Sequence, residues 1–262
     1  MGKAPAIEAS DILWDLWESG QTTADLPARL KPATRRDGYK IQAGLDARAS
    51  KPRWGWKIAA TSAAGQKHIN VDGPIAGRIP AERVVANGAT LPLAGNFMRV
   101  CEPEFAFRFG RDLPHRPEPY SQSEVLAAVD TLHLAIELPS SRFTDFTAVG
   151  GPSLIADDAC AHHVVAGPAV TADWRSIDLS KHAVVATLAR GFERTGSGAN
   201  VLGDPRVALT WLVEELRALG ITIRRGESAI TGTCMVPVDV QPGDVFSADY
   251  GVLGTIGCRL AE

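Results

Sequence analysis

The pattern of apolar and polar positions changes at about residue 45. The chain before that point is predicted to be mostly helical and ends in a polar stretch, Lys31 to Gly38, that predicts a loop. Beyond it, apolar residues come in short bursts separated by Gly and Pro, which is typical of strands and turns. The predicted strands are Trp54 to Ala59, Arg99 to Phe109, Thr131 to Leu138, His162 to Val165, Ala183 to Ala189 and Phe246 to Tyr250.

Two helices in this second part have clear start signals. Ser121 followed by Glu124 forms a capping box ahead of the apolar run 125–129. The pair Asp204-Pro205 supplies an N-cap and a proline at the first helical position. Leucines then recur at helical spacing up to Gly220, which suits a left-handed residue after the helix. Pro242-Gly243-Asp244 predicts a turn between the last strands. Many short strands with few helices, not in strict alternation, favour an α+β fold.

The segment from Cys101 to Phe109 contains the most informative chemistry. Side chains alternate between the two faces of a strand, so Glu102 and Glu104 share one face while the phenylalanines share the other. The phenylalanine face is predicted to be core. Two adjacent carboxylates repel each other unless a cation or a proton lies between them. The alternative is a solvated strand face on which both glutamates pair with Lys or Arg.

A third acid, Glu137, lies in another predicted strand among apolar neighbours. A carboxylate buried there needs a partner, because burying it alone costs several kcal/mol. Three carboxylates without histidine or thiolate suit magnesium, manganese or calcium rather than zinc.

Three further positions are weaker candidates. Lys57 lies between aromatic residues, where apolar surroundings can lower the pKa of a lysine and suit it to proton transfer, although an edge-strand lysine in water is the simpler alternative. Thr231-Gly232-Thr233 could present backbone N–H groups to a carboxylate, or could be a simple turn. Gly196-Ser197-Gly198 predicts a flexible loop, and His162 and His163 are predicted to point in opposite directions on a strand.

Composition narrows the class of protein. The chain has 262 residues, 45% of them hydrophobic, and a net charge of -3 without a dense stripe of Lys and Arg. Nucleic acid and membrane surfaces are therefore not expected as partners. No run reaches the roughly 20 apolar residues that cross a bilayer, and no signal peptide is predicted. Four scattered cysteines without a C-x-x-C pair argue against zinc and predict a cytoplasmic protein with reduced thiols.

Seven motifs, in order along the chain, resemble the 2-keto-4-pentenoate hydratases and 4-oxalocrotonate decarboxylases of the fumarylacetoacetase-like superfamily. The resemblance runs from about residue 40 to the C-terminus and is vaguer in the helical part before it. The motifs are Gly55-Trp56-Lys57-Ile58, Val71-Asp72-Gly73-Pro74, Glu102-Pro103-Glu104, Glu137 with Ser141-Arg142, Ala156-Asp157-Asp158-Ala159, Leu202-Gly203-Asp204-Pro205 and Thr231-Gly232-Thr233.

The resemblance implies a mixed, barrel-like β-roll with flanking helices, divided into an N-terminal helical segment (1–45) and a catalytic domain (46–262). It implies a Mg²⁺ or Mn²⁺ ion on Glu102, Glu104 and Glu137, and assembly into a homo-oligomer. Lys57 is the candidate for proton transfer, with Asp157 as an assistant. The substrate-binding candidates are Ile75, Thr231, Gly232 and Thr233.

Two departures from the family pattern bear on the reaction. Hydratases of this kind often have an acid directly after the proline of V-D-x-P, and Ile75 occupies that position here. The usual A-D-N-A-S motif has Asp158 in place of its Asn and Cys160 in place of its Ser. Both changes leave the metal ligands intact and alter groups expected near the substrate.

The expected activity is metal-dependent addition of water to 2-hydroxypenta-2,4-dienoate or a close analogue, giving a 4-hydroxy-2-oxo acid in the meta-cleavage breakdown of aromatic compounds. In this expected reaction the metal acts as a Lewis acid, because it stabilises the enolate of a 2-oxo acid. The alternatives are decarboxylation of 4-oxalocrotonate, C–C hydrolysis of an acylpyruvate, and a non-catalytic role as partner of a pathway enzyme.

Overall fold

Two mixed β-sheets with helices packed around them form the centre of the molecule. The computed structural model describes residues 3–262. The helices are α1 (Pro5–Ser19), α2 (Arg35–Gln42), α3 (Ala63–His68), α4 (Gln122–Ala128), α5 (Gly151–Ala156) and α6 (Pro205–Ala218). Short 3₁₀ turns occur at Ala28–Leu30, Ala43–Ala47, Ala81–Arg83, Asp158–Cys160, Gly198–Asn200 and Gly251–Leu253. None of these helices in residues 3–262 combines the length and the apolar character needed to cross a bilayer.

The strands follow the order expected of a chain rich in short apolar runs. They are β1 (Arg53–Ala59), β2 (Ile75–Pro80), β3 (Val84–Ala86), β4 (Thr90–Pro92), β5 (Val100–Phe109), β6 (Val129–Leu138), β7 (His163–Ala169), β8 (Ala183–Leu188), β9 (Phe192–Ser197), β10 (Ser228–Thr233), β11 (Val238–Asp239), β12 (Val245–Asp249) and β13 (Thr255–Ala261).

The larger sheet curls into a half-barrel. Its strand order is β2-β1-β10-β5-β6-β7-β3, and β11 pairs with β5 beside this path. The pair β1–β10 is parallel while β5–β6 is antiparallel, so the sheet is mixed. The smaller sheet has the order β4-β13-β12-β8-β9. This confirms the expected α+β class and the barrel-like β-roll with flanking helices.

The predicted phenylalanine face is the core between the two sheets. Phe105, Phe107 and Phe109 are each 0–1% exposed. The ring of Phe105 packs edge-on against Tyr250 of the loop after β12, at 5.3 Å between centroids. Alternation along β5 therefore decides which face is apolar, and it leaves the opposite face for the glutamates.

The helical start signals are confirmed. Ser121 and Glu124 form a reciprocal capping box at the start of α4. The Asp204 side chain accepts a hydrogen bond from the backbone N–H of Arg206 at the start of α6, and Gly220 beyond its end has φ +76°. The N-terminal helices share one continuous apolar cluster with strand residues. The division at residue 45 stays a prediction.

The flexible loop predicted at 196–198 is wrong. Gly196 and Ser197 end strand β9, and a Cβ atom on Gly196 would lie 2.1 Å from the carbonyl oxygen of Cys234. Glycine is present because two backbone segments approach closely there, a contact that the sequence does not reveal.

Candidate active site

The register of β5 against β6 brings the three glutamates together. Glu102 lies directly opposite Glu137, and Glu104 lies opposite Ala135 on the same face. One carboxylate oxygen from each glutamate lies within 4.8 Å of the others. Glu104 and Glu137 are 0% and 1% exposed. The alternative of a solvated strand face is therefore excluded.

The carboxylate oxygens of this cluster have fewer hydrogen bonds than their burial requires. Glu104 Oε2 accepts one from the backbone N–H of Gly232 at 2.6 Å. Glu104 Oε1 and Glu137 Oε2 accept none from the residues that the structure describes. Burial and the charge of Glu137 raise the pKa of Glu102 to about 8, although the Lys57 ammonium opposes the shift. The pKa of Glu104 is also raised, by burial first and then by the other two carboxylates.

The charge and the donor set of the cluster fit one hard divalent cation. Metal ligation requires the ionised carboxylates, and three ionised glutamates with the Lys57 ammonium would carry two net negative charges, which a divalent ion would neutralise. Unpaired carboxylate oxygens are the ligands that Mg²⁺, Mn²⁺ and Ca²⁺ prefer. A buried charge without a partner is strongly unfavourable, so the unpaired oxygens of Glu104 and Glu137 point to an ion as their missing partner.

Lys57 lies on an inner strand of the larger sheet, not on an edge strand. Strand β1 runs between β2 and β10, and Lys57 is 2% exposed. Its Nζ lies 2.6 Å from Glu137 Oε1 and donates a hydrogen bond to the carbonyl oxygen of Ala159 at 2.8 Å. Burial lowers the pKa of Lys57, but the carboxylates of Glu137 and Glu102 outweigh it and raise the pKa. The lowered pKa suggested by its apolar sequence neighbours is therefore wrong for the protein without a cation.

The turn that receives the Lys57 hydrogen bond has an unusual backbone. Asp158, Ala159 and Cys160 all have φ between 51° and 61°. Consecutive left-handed residues other than glycine are costly and persist only where the surroundings hold them. The Asp158 carboxylate accepts a hydrogen bond from the backbone N–H of Arg78 at 2.5 Å, which ties the turn to β2. Gly77 beside it leaves room for Lys57, since a Cβ there would lie 2.8 Å from Lys57 Cγ.

The segment Thr231-Gly232-Thr233 supports the glutamates from β10. The backbone N–H of Gly232 donates a hydrogen bond to the Glu104 carboxylate, and the Thr231 hydroxyl donates one to the carbonyl oxygen of Phe105 at 3.1 Å. Gly232 has φ +104°, and a Cβ there would lie 2.3 Å from the hydroxyl of Thr61. A cavity lies beside the glutamates; Gly232 and Thr233 line it, whereas the fully buried Thr231 does not. The Gly232 amide thus holds a candidate metal ligand.

Asp157 lies apart from the cavity in an ion pair with Arg142. Its carboxylate accepts hydrogen bonds from the Ser141 hydroxyl at 2.6 Å, from the Arg142 backbone N–H at 3.1 Å and from the Arg142 guanidinium. It is 0% exposed and is not among the residues of the cavity wall. Its donors occupy both oxygens, so this geometry favours a structural role over the assistance predicted from sequence.

A cavity of about 810 Å³ opens beside the glutamate cluster. Lys57, Glu102 and the Ala159–Cys160 segment line its inner end. The remaining wall is mainly apolar and includes Ile75, which is 1% exposed. The larger apolar and aromatic side chains of this wall are Ile58, Ile69, Ile75, Phe97, Met98, Val100, Phe146, Met235 and Val236.

Several polar residues of this wall were not predicted from the sequence, among them Thr61 and His68. Thr61 is 5% exposed and packs against Gly232. His68, the last residue of α3, packs its ring edge-on against Phe146 at 5.9 Å between centroids. Both residues lie within ten positions of the end of the Lys57 strand, and this closeness in the chain could have marked them as candidates for the site.

The two adjacent histidines do not point in opposite directions. Strand β7 begins only at His163, so His162 precedes the alternation of the strand. Their Nδ1 atoms lie 2.6 Å apart, and the His162 ring packs against Trp17. Burial first, together with neighbouring positive groups, lowers the pKa of His162 to about 2 and that of His163 to about 4.

Comparisons with known proteins agree with this geometry. No family model matches the chain. The chain is 33% identical to a 2-keto-4-pentenoate hydratase of Paraburkholderia xenovorans (strain LB400) over 254 residues, which cover 95% of this chain and 92% of that protein. It is 28% identical to a 2-hydroxyhexa-2,4-dienoate hydratase of Comamonas testosteroni, with 95% of each chain covered.

A solved structure shows the same fold. The 4-oxalocrotonate decarboxylase from Pseudomonas putida G7, complexed with magnesium and adipate, superimposes with a TM-score of 0.88 at 24% identity over 97% of both chains. At 24% identity this structural similarity establishes the fold alone, whereas the sequence similarity to the hydratases establishes the family. The chain therefore belongs to the 2-keto-4-pentenoate hydratase family.

Proposed function

We propose that this protein is a divalent-cation-dependent hydratase, a lyase that adds water to a 2-hydroxy-2,4-dienoic acid to give a 4-hydroxy-2-oxo acid. The observation that carries the proposal is the position of Lys57 and Glu102 at the inner end of a largely apolar cavity. The hydratase names of the sequence relatives support the reaction class.

Glu102, Glu104 and Glu137 would hold the cation, Mg²⁺ or Mn²⁺. A cation bound there supplies Lewis-acid stabilisation of the negative charge that develops on a 2-oxo acid. The decarboxylase of the same fold was solved in complex with magnesium and, in a second structure, in complex with calcium. The unpaired oxygens of Glu104 and Glu137 are the support that comes from this chain.

Lys57 moves the proton in the ketonisation of the dienol. Its ammonium lies between Glu137 and the Ala159 carbonyl oxygen, which fixes its position at the inner end of the cavity. A positive group held there can give a proton to the substrate carbon and recover one afterwards. Gly232 and Thr233 of the neighbouring strand β10 also line the cavity, and Ile75 contributes apolar surface for the substrate's tail.

Decarboxylation of 4-oxalocrotonate is the second candidate, because the decarboxylase has the same fold. That substrate has a second carboxylate, which needs a positive group at the far end of the cavity. Arg194 is a cation of the wall, and its Nη1 donates to the carbonyl oxygens of Val236 and Pro237 at 3.0 and 2.6 Å, which orients the guanidinium without neutralising its charge. The rest of the wall is mainly apolar, which favours a monocarboxylate with an apolar tail.

The test is a substrate panel in the presence of Mg²⁺ or Mn²⁺. It contains 2-hydroxypenta-2,4-dienoate, 2-hydroxyhexa-2,4-dienoate, 4-oxalocrotonate and an acylpyruvate, with loss of ultraviolet absorbance followed and products identified by mass. We expect both dienoates to gain one water, faster for the longer one, and Glu104→Gln protein to be the inactive control. Faster release of carbon dioxide from 4-oxalocrotonate would favour the second candidate.

The family resemblance also supports a homo-oligomer located in the cytoplasm. Light scattering of the purified protein measures the first, and a mass equal to one chain would contradict it. Fractionation of the cells that express it tests the second.

A further inference from the structure

The cavity lacks an acid at the position where the related hydratases often have one. Ile75 occupies it at the start of β2, buried and apolar. Addition of water at C4 of the substrate still needs a group that removes a proton from the water, since water is a weak nucleophile. Another residue of the cavity wall must therefore be the base that removes this proton.

Two residues of the wall other than the metal-binding Glu102 and the proton donor Lys57 are realistic bases. They are His68 and Asp239. Imidazole is a stronger base than a carboxylate near neutral pH and is the side chain most often used for this purpose. Asp239 belongs to β11, which pairs with the beginning of β5 at Val100. The greater basicity of imidazole near neutral pH favours His68 as the base.

His68 is the one histidine in the cavity wall formed by residues 3–262. It ends helix α3, which follows the Lys57 strand through the N-cap Ser62. The edge-on packing against Phe146, at 72° between the ring planes, restricts the orientation of the imidazole. His68 is also exposed to solvent, so a proton taken from the substrate's side can leave to bulk water.

We propose that His68 is a catalytic residue of the hydration step, the general base that deprotonates the attacking water. The inference rests on the proposed hydratase function. In the conjugated 2-oxo-3-enoate, the water oxygen bonds to C4 while its O–H bond breaks and the proton passes to the imidazole. The C3=C4 electron pair moves towards the 2-oxo group, and C3 then takes a proton from Lys57. His68 then releases its proton to solvent, and Lys57 takes up a proton from solvent.

The test separates ketonisation from hydration in His68→Gln protein loaded with Mg²⁺. We expect the rate of hydration to fall by about 10²–10⁴-fold, the usual contribution of general acid–base catalysis. Ketonisation should stay within about two-fold of the parent, so the 2-oxo-3-enoate accumulates and is detected by mass and absorbance. Lys67→Gln, at the exposed neighbouring position of the same helix, is the matched control and should hydrate normally.

A rescue variant makes the test specific to water delivery. Adding Ile75→Asp to His68→Gln restores an acid to the cavity wall, and we expect hydration to recover at least about ten-fold. The role of His68 would be overturned by unchanged hydration in His68→Gln or by an equal loss of ketonisation and hydration. It would also be overturned if hydration stopped in Asp239→Asn instead, or if the folded double variant showed no recovery. A parent protein that hydrates no dienoate would overturn the proposed function itself.

Discussion

Two buried carboxylate sites in this protein have opposite hydrogen-bonding states. Asp157 and Glu104 are both 0% exposed. Asp157 accepts bonds from Ser141 and from the backbone and side chain of Arg142, while Glu104 Oε1 accepts none from the described residues. Burial alone therefore does not identify a reactive site. A buried charge whose partners are complete holds the fold together, and one whose partners are missing indicates a ligand.

The largest expected effect is the loss of metal binding in Glu104→Gln. The substitution removes a charge with little change of shape, so the cluster loses a ligand that a hard cation prefers. We expect no Mn²⁺ binding by calorimetry, and a free energy of unfolding in EDTA that is unchanged or higher. Glu118→Gln, at an exposed position, is the control. Unchanged Mn²⁺ affinity in Glu104→Gln would refute the assignment, and Glu102 and Glu137 should behave like Glu104.

Lys57→Ala should lower turnover by about 10²–10⁴-fold, because a general acid–base group is removed. Metal binding should survive, since the three glutamates remain. Steady-state kinetics on the best dienoate measure the first, and Mn²⁺ calorimetry measures the second. Near-normal turnover would leave Lys57 with only a structural role beside Glu137.

Asp157→Asn tests the fully bonded site. Breaking a buried ion pair leaves the charge of Arg142 uncompensated, so we expect a loss of about 3–5 kcal/mol in the free energy of unfolding. Mn²⁺ affinity of the folded protein should not change. Asp178→Asn is the matched control, because its pair with Lys181 is exposed and screened by water, so its loss should have a much smaller effect on stability. Urea denaturation in EDTA measures both, and equal effects in the two variants would contradict the comparison.

The smallest expected effect per residue concerns His162 and His163, which are buried without charge. Their pKa values in the folded protein, about 2 and about 4, lie below the value of about 6.5 for an unfolded chain. The unfolded chain therefore binds more protons as the pH falls below about 6.5, and the folded state loses stability. Between pH 7 and pH 5 the loss is about 2 kcal/mol for each ring.

The double variant His162→Gln/His163→Gln isolates this contribution. All other titrating groups stay the same, so the stability difference between parent and variant should shrink as the pH falls from 7 to 5. Urea denaturation at several pH values measures it. A parent and a variant with the same pH dependence would show that the rings are protonated in the folded state.

Local properties of the sequence were sufficient for several features of the site. Alternation along β5 predicted that Glu102 and Glu104 share a face opposite the phenylalanines, because the side-chain period of a strand does not depend on its neighbours. The capping box of α4 and the start of α6 were predicted for the same reason: each involves residues three or fewer positions apart. The strands Ile75–Pro80 and Ser228–Thr233 were not predicted from the sequence.

The tertiary structure decided which of these residues act together. The register that sets Glu102 opposite Glu137, and the position of Lys57 within the sheet, depend on pairing between strands distant in the chain. The same holds for the donors around Asp157 and for the placement of His68 in the cavity wall. The sequence determined the kinds of side chain and their local faces, whereas long-range packing determined which buried charges found partners, because only the folded chain brings distant donors within reach.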